Sequence, residues 1–311
     1  MNYLVTGGAG FIGSHLVSAL CAAGEHVRVL DDFSSGTRSN LEAASKGAGS
    51  PVEVIEADLR DEVRLQDAVN GIDVVFHEAA FVSVPASMQD PRACFDVNCG
   101  GTVNLLEAAR TRGVSRVVLA SSAAVYGDSH HLPLAEEEAP GPLSPYAASK
   151  LVDEVYAELY TQTLGLEVCA LRYFNVYGPR QRPDTQYAAA VPIFIRRLLS
   201  GQAPTIFGDG QQTRDLVFVG DVVRANMVAA HHAQAPGQVL NVCTGTKTRV
   251  LDLVETLSRL LPGAPEPVFA PNRPGDIYDS VGSPVKMRET LGFSAQTSLL
   301  EGLKATVQWM R

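Results

Sequence analysis

The stretch Thr6-Gly7-Gly8-Ala9-Gly10-Phe11-Ile12-Gly13 constrains the fold more than any other part of the chain. It follows a short β-branched run, Tyr3–Thr6, and opens an apolar helical pattern, Ile12–Ala23. Glycines at 7, 10 and 13 permit a tight strand-to-helix turn and let backbone amides approach a diphosphate at the helix N-terminus. The spacing is G-x-x-G-x-x-G, not the G-x-G-x-x-G of two-domain dehydrogenases. A glycine motif in isolation says little; its place between a first strand and a first helix reads as a dinucleotide cradle. Asp31 strengthens that reading. It ends a second apolar run, His26–Asp31, 18 residues after Gly13, where a carboxylate accepts adenosine ribose hydroxyls. The same carboxylate repels a 2′-phosphate and no arginine directly follows it, so NAD is expected rather than NADP. Asp32 can share the work.

Further strands are expected at Val52–Ala57, Val74–His77, Arg116–Ala120 and Glu167–Arg172, with helices at Ile12–Ala23, Arg64–Val69, Val103–Thr111 and Tyr146–Leu164. The alternation predicts βαβ units and a parallel sheet. Continuous apolar runs such as Val74-Val75-Phe76 fit strands covered on both faces. After Arg172, prolines at 179, 183, 192 and 204 break the rhythm. Gln238–Val242 then reads as one more strand, followed by a helix from Val250 to Leu261 and a Pro/Gly-rich stretch. The expected class is α/β: a Rossmann-type doubly wound parallel sheet with a smaller, discontinuous α+β substrate-binding domain. The expected division is 1–172 with about 216–244 for the nucleotide half, and about 173–215 with 245–311 for the other.

A hydrophobic fraction of 46% over 311 residues supplies ample core and excludes a disordered chain. Lys and Arg number 25 against 34 Asp and Glu, a net charge of −9, which argues against nucleic acid or an anionic membrane as partner. Five scattered cysteines form no metal or disulfide pattern. No metal site is expected at His130-His131 or His231-His232, and Glu136-Glu137-Glu138 reads as a solvated run. With no leader-like or membrane-spanning stretch visible, a cytoplasmic location is expected.

Ser144-Pro145-Tyr146-Ala147-Ala148-Ser149-Lys150 starts a helix, with Ser144 as N-cap and Pro145 in the first position. Tyr146 and Lys150 are then i,i+4 neighbours. An ammonium beside a phenol favours the phenolate, so such a tyrosine can act as a general base. Ser122 ends a predicted strand, where open α/β sheets place their ligands.

The segments TGGAGFIG, SSAAVYG, YAASK, LRYFNVYGP, GDGQQTRD and RPGD resemble the extended short-chain dehydrogenase/reductase family. Within it they are most similar to nucleotide-sugar 4-epimerases acting on UDP-glucose or UDP-N-acetylglucosamine. The resemblance implies Ser122, Tyr146 and Lys150 as the catalytic set, NAD as cofactor and a homodimer. It implies that Phe11 and Ile12 touch the cofactor diphosphate, beside Gly7, Gly10 and Gly13. Asp31, Asp32, Phe33, Ser35 and Gly36 are the expected ribose loop. Asp58 and Leu59 would meet the adenine, with Ala79, Ala80, Asn98 and Phe174 as further cofactor neighbours. On the substrate side, Arg214 and Arg273 resemble the family's diphosphate ligands. Phe207 resembles its uracil contact, Asp276 a ribose ligand, and Asn175, Ala190 and Val191 parts of the sugar and phosphate wall.

Two departures bear on the reaction. Between Ser122 and Tyr126 stand only alanines and a valine, where the related dehydratases and decarboxylases carry an acid for a second proton transfer. That favours simple epimerisation, although Ala124 replaces a threonine found in some epimerases. Ser280 stands where some UDP-galactose epimerases carry a bulky tyrosine, which leaves room for an N-acetyl group at C2. Gln181-Arg182-Pro183-Asp184 is similar to UDP-glucuronate 4-epimerases and keeps glucuronate as an alternative. A nucleotide-sugar dehydratase or decarboxylase on the same scaffold is a further alternative, and an NAD-binding regulatory module without catalysis the remote one; the intact Ser122/Tyr146/Lys150 set argues against the last. Glu78 is unusual beside the cofactor, and no role is assigned to it.

Overall fold

The structure is a computed structural model that describes residues 1–46, 51–183, 189–272 and 277–311. A seven-stranded parallel sheet runs through it. Its strands are β1 (Asn2–Thr6), β2 (His26–Asp31), β3 (Glu53–Glu56), β4 (Val74–His77), β5 (Arg116–Ser122), β6 (Glu167–Tyr173) and a last one, Val239–Val242. Their spatial order is Val239–Val242, β6, β5, β4, β1, β2, β3. The order reverses between β1 and β4, the switch point at which such sheets open a crevice. Register is continuous there, with Val5 between Val29 and Phe76.

Both faces of the sheet are buried, and successive side chains serve opposite cores. Tyr3, Val5, Val27 and Val29 pack with Leu16 and Val17 of the helix Phe11–Ala22. Leu4, Leu30 and Val75 face the other way, against Leu65, Leu105 and Leu106. A third core lies off the sheet, where Phe194, Ile195, Leu253, Leu257, Leu303 and Val307 join the helices Ala190–Leu199, Val250–Leu260 and Leu299–Met310. Short parallel strands Asn175–Tyr177 and Leu216–Phe218 pair beside β6. Among the described residues no helix is long and apolar enough to cross a membrane.

The expected strands differ from the observed ones by one or two residues at their ends. The helix expected to run to Leu164 is α-helical only over Pro145–Leu159; a π-turn, Tyr160–Leu164, finishes it before left-handed Gly165. Its inward face is largely polar. Ser149, Lys150, Asp153 and Glu154 face inward, while Val155 is 60% and Leu159 43% exposed. The polar face can be buried because each charge meets a partner. Glu154 takes Arg172 in two hydrogen bonds of 2.8 Å, and the guanidinium stacks 4.7 Å from the Tyr126 ring. Removing one member of such a pair costs about 3–5 kcal/mol.

Candidate active site

A cleft of about 880 Å³ opens along the ends of the strands at the switch point. Gly7, Gly10, Phe11, Ile12 and Gly13 form its floor. Gly7 has φ +66, which suits glycine, and a Cβ there would stand 2.7 Å from the Ala79 amide. A Cβ on Gly13 would stand 2.2 Å from the Gly7 carbonyl oxygen. Turn, helix and the loop after β4 therefore close to a distance only glycine allows, leaving a helix N-terminus bare for an anion. These residues fit a dinucleotide diphosphate.

Asp31 lies beside this turn, 6% exposed, and its carboxylate accepts the Ala9 N–H at 2.9 Å and the Phe33 N–H at 2.8 Å. Each oxygen keeps a further lone pair for a ribose hydroxyl. Burial raises its pKa against these two bonds. Asp32, Ser35, Asp58 and Leu59 line the same end. Arg60 lines it as well, which the sequence reading missed; Asp58 holds the Arg60 guanidinium through two bonds, and the guanidinium pulls the Asp58 pKa down. The pairing answers that cation and leaves Asp31 and Asp32 to set the sign of the ribose end.

Tyr146 and Lys150 come from the N-terminal turns of the Pro145–Leu159 helix. Ser144 caps it by accepting the Ala147 N–H at 3.1 Å. Lys150 is 3% exposed, and its ammonium donates to Asp153 at 3.2 Å. Asp153 and the anionic surroundings raise the Lys150 pKa despite burial, so it stays charged. Burial raises Asp153 to about 6. Ser122 ends β5 and caps a 3-10 turn, Ala123–Tyr126; its Oγ accepts the Ala124 N–H at 3.1 Å. Its own proton is thereby left to donate into the cleft, which Ser122, Tyr146 and Lys150 all line together with Ala79, Ala80 and Phe174.

Across from them stand Asn175, Ala190, Val191 and Arg214, joined by Arg180 and Arg182, which the sequence reading did not place in the pocket. Arg214 Nη1 donates to the Thr213 and Tyr278 carbonyls at 2.8 and 3.2 Å. Its neighbour Asp215, fully buried, fixes this strand to two distant loops by accepting from Thr244, Gly245 and Gly282.

Several expected residues do not line the cleft. Phe33 is in the left-handed region (φ +57) with the Arg38 guanidinium 4.4 Å over its ring. Gly36 packs on Ala9, where a Cβ would come within 2.7 Å. Asn98 is buried one layer behind, bonded to the Phe81 N–H at 2.7 Å and to Ser149 Oγ at 2.8 Å, so it shapes the wall without forming it. Phe207 lies in a strand paired to Val268–Ala270. Ser280 donates its backbone N–H to the Thr213 carbonyl, next to Arg214, but does not face the cavity. Arg273 and Asp276 lie outside the described residues.

Polar partners far apart in sequence were also missed. Glu136 is not a solvated charge: it accepts the Asn241 N–H of the last strand at 2.7 Å. Glu78 lines the cleft and accepts from the Tyr173 hydroxyl at 2.6 Å. For Glu78 the available signal was an acidic residue directly after the apolar strand β4.

Comparison with known proteins agrees with this geometry. The NAD dependent epimerase/dehydratase family model matches residues 3–243. A UDP-glucose 4-epimerase of Mycolicibacterium smegmatis is 42% identical, covering 100% of this chain and 99% of the relative. The Thermus thermophilus UDP-glucose 4-epimerase in complex with NAD superposes with a TM-score of 0.89 at 40% identity, covering 100% and 99% of the two chains. A UDP-N-acetylglucosamine 4-epimerase from Methanobrevibacter ruminantium, in complex with UDP-N-acetylmuramic acid, gives a TM-score of 0.94 at 36% identity, covering 99% and 97%. With its glycine turn, its ribose aspartate and its matched sequence, the chain belongs to the NAD-dependent epimerase/dehydratase family.

Proposed function

We propose that this protein inverts C4 of a UDP-hexose through a transient 4-keto sugar, without net oxidation. The observation that carries the reading is the meeting of Ser122, Tyr146 and Lys150 on one wall of the cleft whose floor is the glycine turn. Bound NAD supplies a reversible hydride acceptor. The residues do the rest. Tyr146 Oη takes the proton of the sugar 4-hydroxyl, with the Lys150 ammonium one helical turn away on the same cleft wall. Ser122 donates to the same sugar oxygen and holds it as a carbonyl forms. Once the ketone has presented its opposite face, Tyr146 returns the proton, so atoms and charge balance. Lys150 also binds the nicotinamide ribose.

The 3-10 turn after Ser122 offers Ala123, Ala124 and Val125. None of these can move a second proton, which favours epimerisation over dehydration. Arg214, with Arg273, is proposed to bind the UDP diphosphate, since guanidiniums make paired charge-assisted bonds to phosphate. Substrates are proposed to be UDP-glucose/UDP-galactose together with UDP-GlcNAc/UDP-GalNAc. Arg182 on the cleft wall favours one other reading, a sugar carboxylate as in UDP-glucuronate. Residues 1–172 with about 216–244 are proposed as the nucleotide domain, and the remainder as the sugar domain. Exposed Phe95, Val155, Leu159 and Leu164 on neighbouring helices support a homodimer through that face. Incubating the purified protein with UDP-galactose, UDP-GalNAc and UDP-glucuronate tests the reading. A 4-epimer formed without added NAD+ supports it. Loss of water or CO2 from the sugar, or no turnover by NAD-loaded protein, contradicts it.

A further inference from the structure

Glu78 directly follows β4, at the sheet's switch point, and shares the cleft wall with Ala79, Tyr146 and Lys150. Its setting has a fixed direction. Asn226 Nδ2 donates to the Val222 carbonyl at 2.9 Å, an acceptor only, and also to the Tyr173 hydroxyl at 2.7 Å. Tyr173 must then spend its own proton on Glu78 Oε1, at 2.6 Å. The chain Asn226–Tyr173–Glu78 thus holds a carboxyl as acceptor at the end of the cleft where the catalytic pair lies.

Of the other ionisable groups there, only the Lys150 ammonium opposes its charge. From the Pro145–Leu159 helix, Lys150 faces it, but the ammonium is bound to Asp153 at 3.2 Å, with Tyr146 one turn earlier. From β6 comes only Tyr173, whose pKa burial raises. His77, on β4 itself, is held between Thr6 at 2.7 Å and Thr102 at 2.9 Å, and burial lowers it to about 3, so it is neutral.

We propose that Glu78 sets the charge at the nicotinamide end of the cleft, its carboxylate favouring the oxidised cofactor over the reduced one. The oxidised ring carries a positive charge that the reduced ring lacks, and only the former gains from a nearby anion. Burial raises the Glu78 carboxyl to about 7, against the Tyr173 bond and Lys150, so the preference changes within the neutral range. It is present above that pH and lost as pH falls through it. The proposal rests on NAD occupying this cleft and not on which sugar is inverted.

The test measures the Kd values of NAD+ and NADH on protein stripped of cofactor and reloaded, from pH 6 to 8.5. In the wild type, the ratio Kd(NAD+)/Kd(NADH) should rise about tenfold as pH falls across that range. In Glu78→Gln it should be flat and equal to the wild-type value at pH 6. Tyr173→Phe removes the donor, so its transition should move to higher pH; this readout holds should Glu78→Gln not fold. A ratio in Glu78→Gln within twofold of wild type at pH 8.5, or an unmoved transition in Tyr173→Phe, overturns the proposal. Protein that binds neither form refutes the cofactor site itself, whereas binding without sugar turnover refutes only the proposed reaction.

Discussion

The turn at Gly7–Gly13 and the wall around Arg214 border the same cleft but are made in different ways. The turn presents backbone: no side chain is required, and the contacts that matter are the close approaches of Gly13 to Gly7 and of Gly7 to Ala79. The wall presents side chains, among them Arg214, which reaches the distant Tyr278 carbonyl while its neighbour Asp215 is tied to Thr244, Gly245 and Gly282. Backbone recognition tolerates no added atom, whereas side-chain recognition can lose one contact and weaken by degrees. Substitutions on the two sides should therefore fail differently.

The largest effect belongs to neither the glycine turn nor the Arg214 side. Tyr146→Phe removes the proposed proton acceptor and should lower kcat by about 10³-fold while NAD remains bound; near-normal turnover would remove Tyr146 from the base role. Gly13→Ala attacks the cradle. With its Cβ only 2.2 Å from a carbonyl, it should weaken NAD binding about 100-fold by calorimetry, leaving UDP binding intact. Equal loss of both ligands would mean that the two sides are not separable. Arg214→Ala should raise KM for the UDP-sugar about 30-fold and leave NAD affinity unchanged. The smallest effect is Ser280→Tyr. If bulk there reaches the sugar, UDP-GalNAc turnover should fall about tenfold relative to UDP-galactose. An equal change in both sinks Ser280 as a specificity residue, and its position off the cleft wall makes this the sharpest test of the side-chain half.

The same contrast explains what could be read in the sequence. Strands β1, β2 and β4, the glycine turn, Asp31 and the capped Tyr146 helix depend on local signals: apolar runs, turn residues and a Ser-Pro start. The strands, the turn and the start of that helix are found where the sequence reading placed them, within a residue or two, although its α-helical part stops at Leu159. The inward polar face of the Pro145–Leu159 helix was not legible, because Lys150–Asp153 and Glu154–Arg172 are stabilised by neighbours that only the folded chain supplies. Glu78 and Glu136 were opaque for the same reason, their partners Tyr173 and Asn241 lying on other strands. Asn98 matched a motif yet serves the layer behind the wall, since a motif names a position and not the direction of its side chain.

The proposed inversion has one sugar carbon give up and regain its own hydrogen in this cleft. It is tested most directly with UDP-galactose carrying deuterium at C4, incubated with the purified protein in ordinary water and no added cofactor. UDP-glucose with deuterium retained at C4 is the expected product. Inversion accompanied by loss of that deuterium to solvent, or no inversion by NAD-loaded protein, would contradict it.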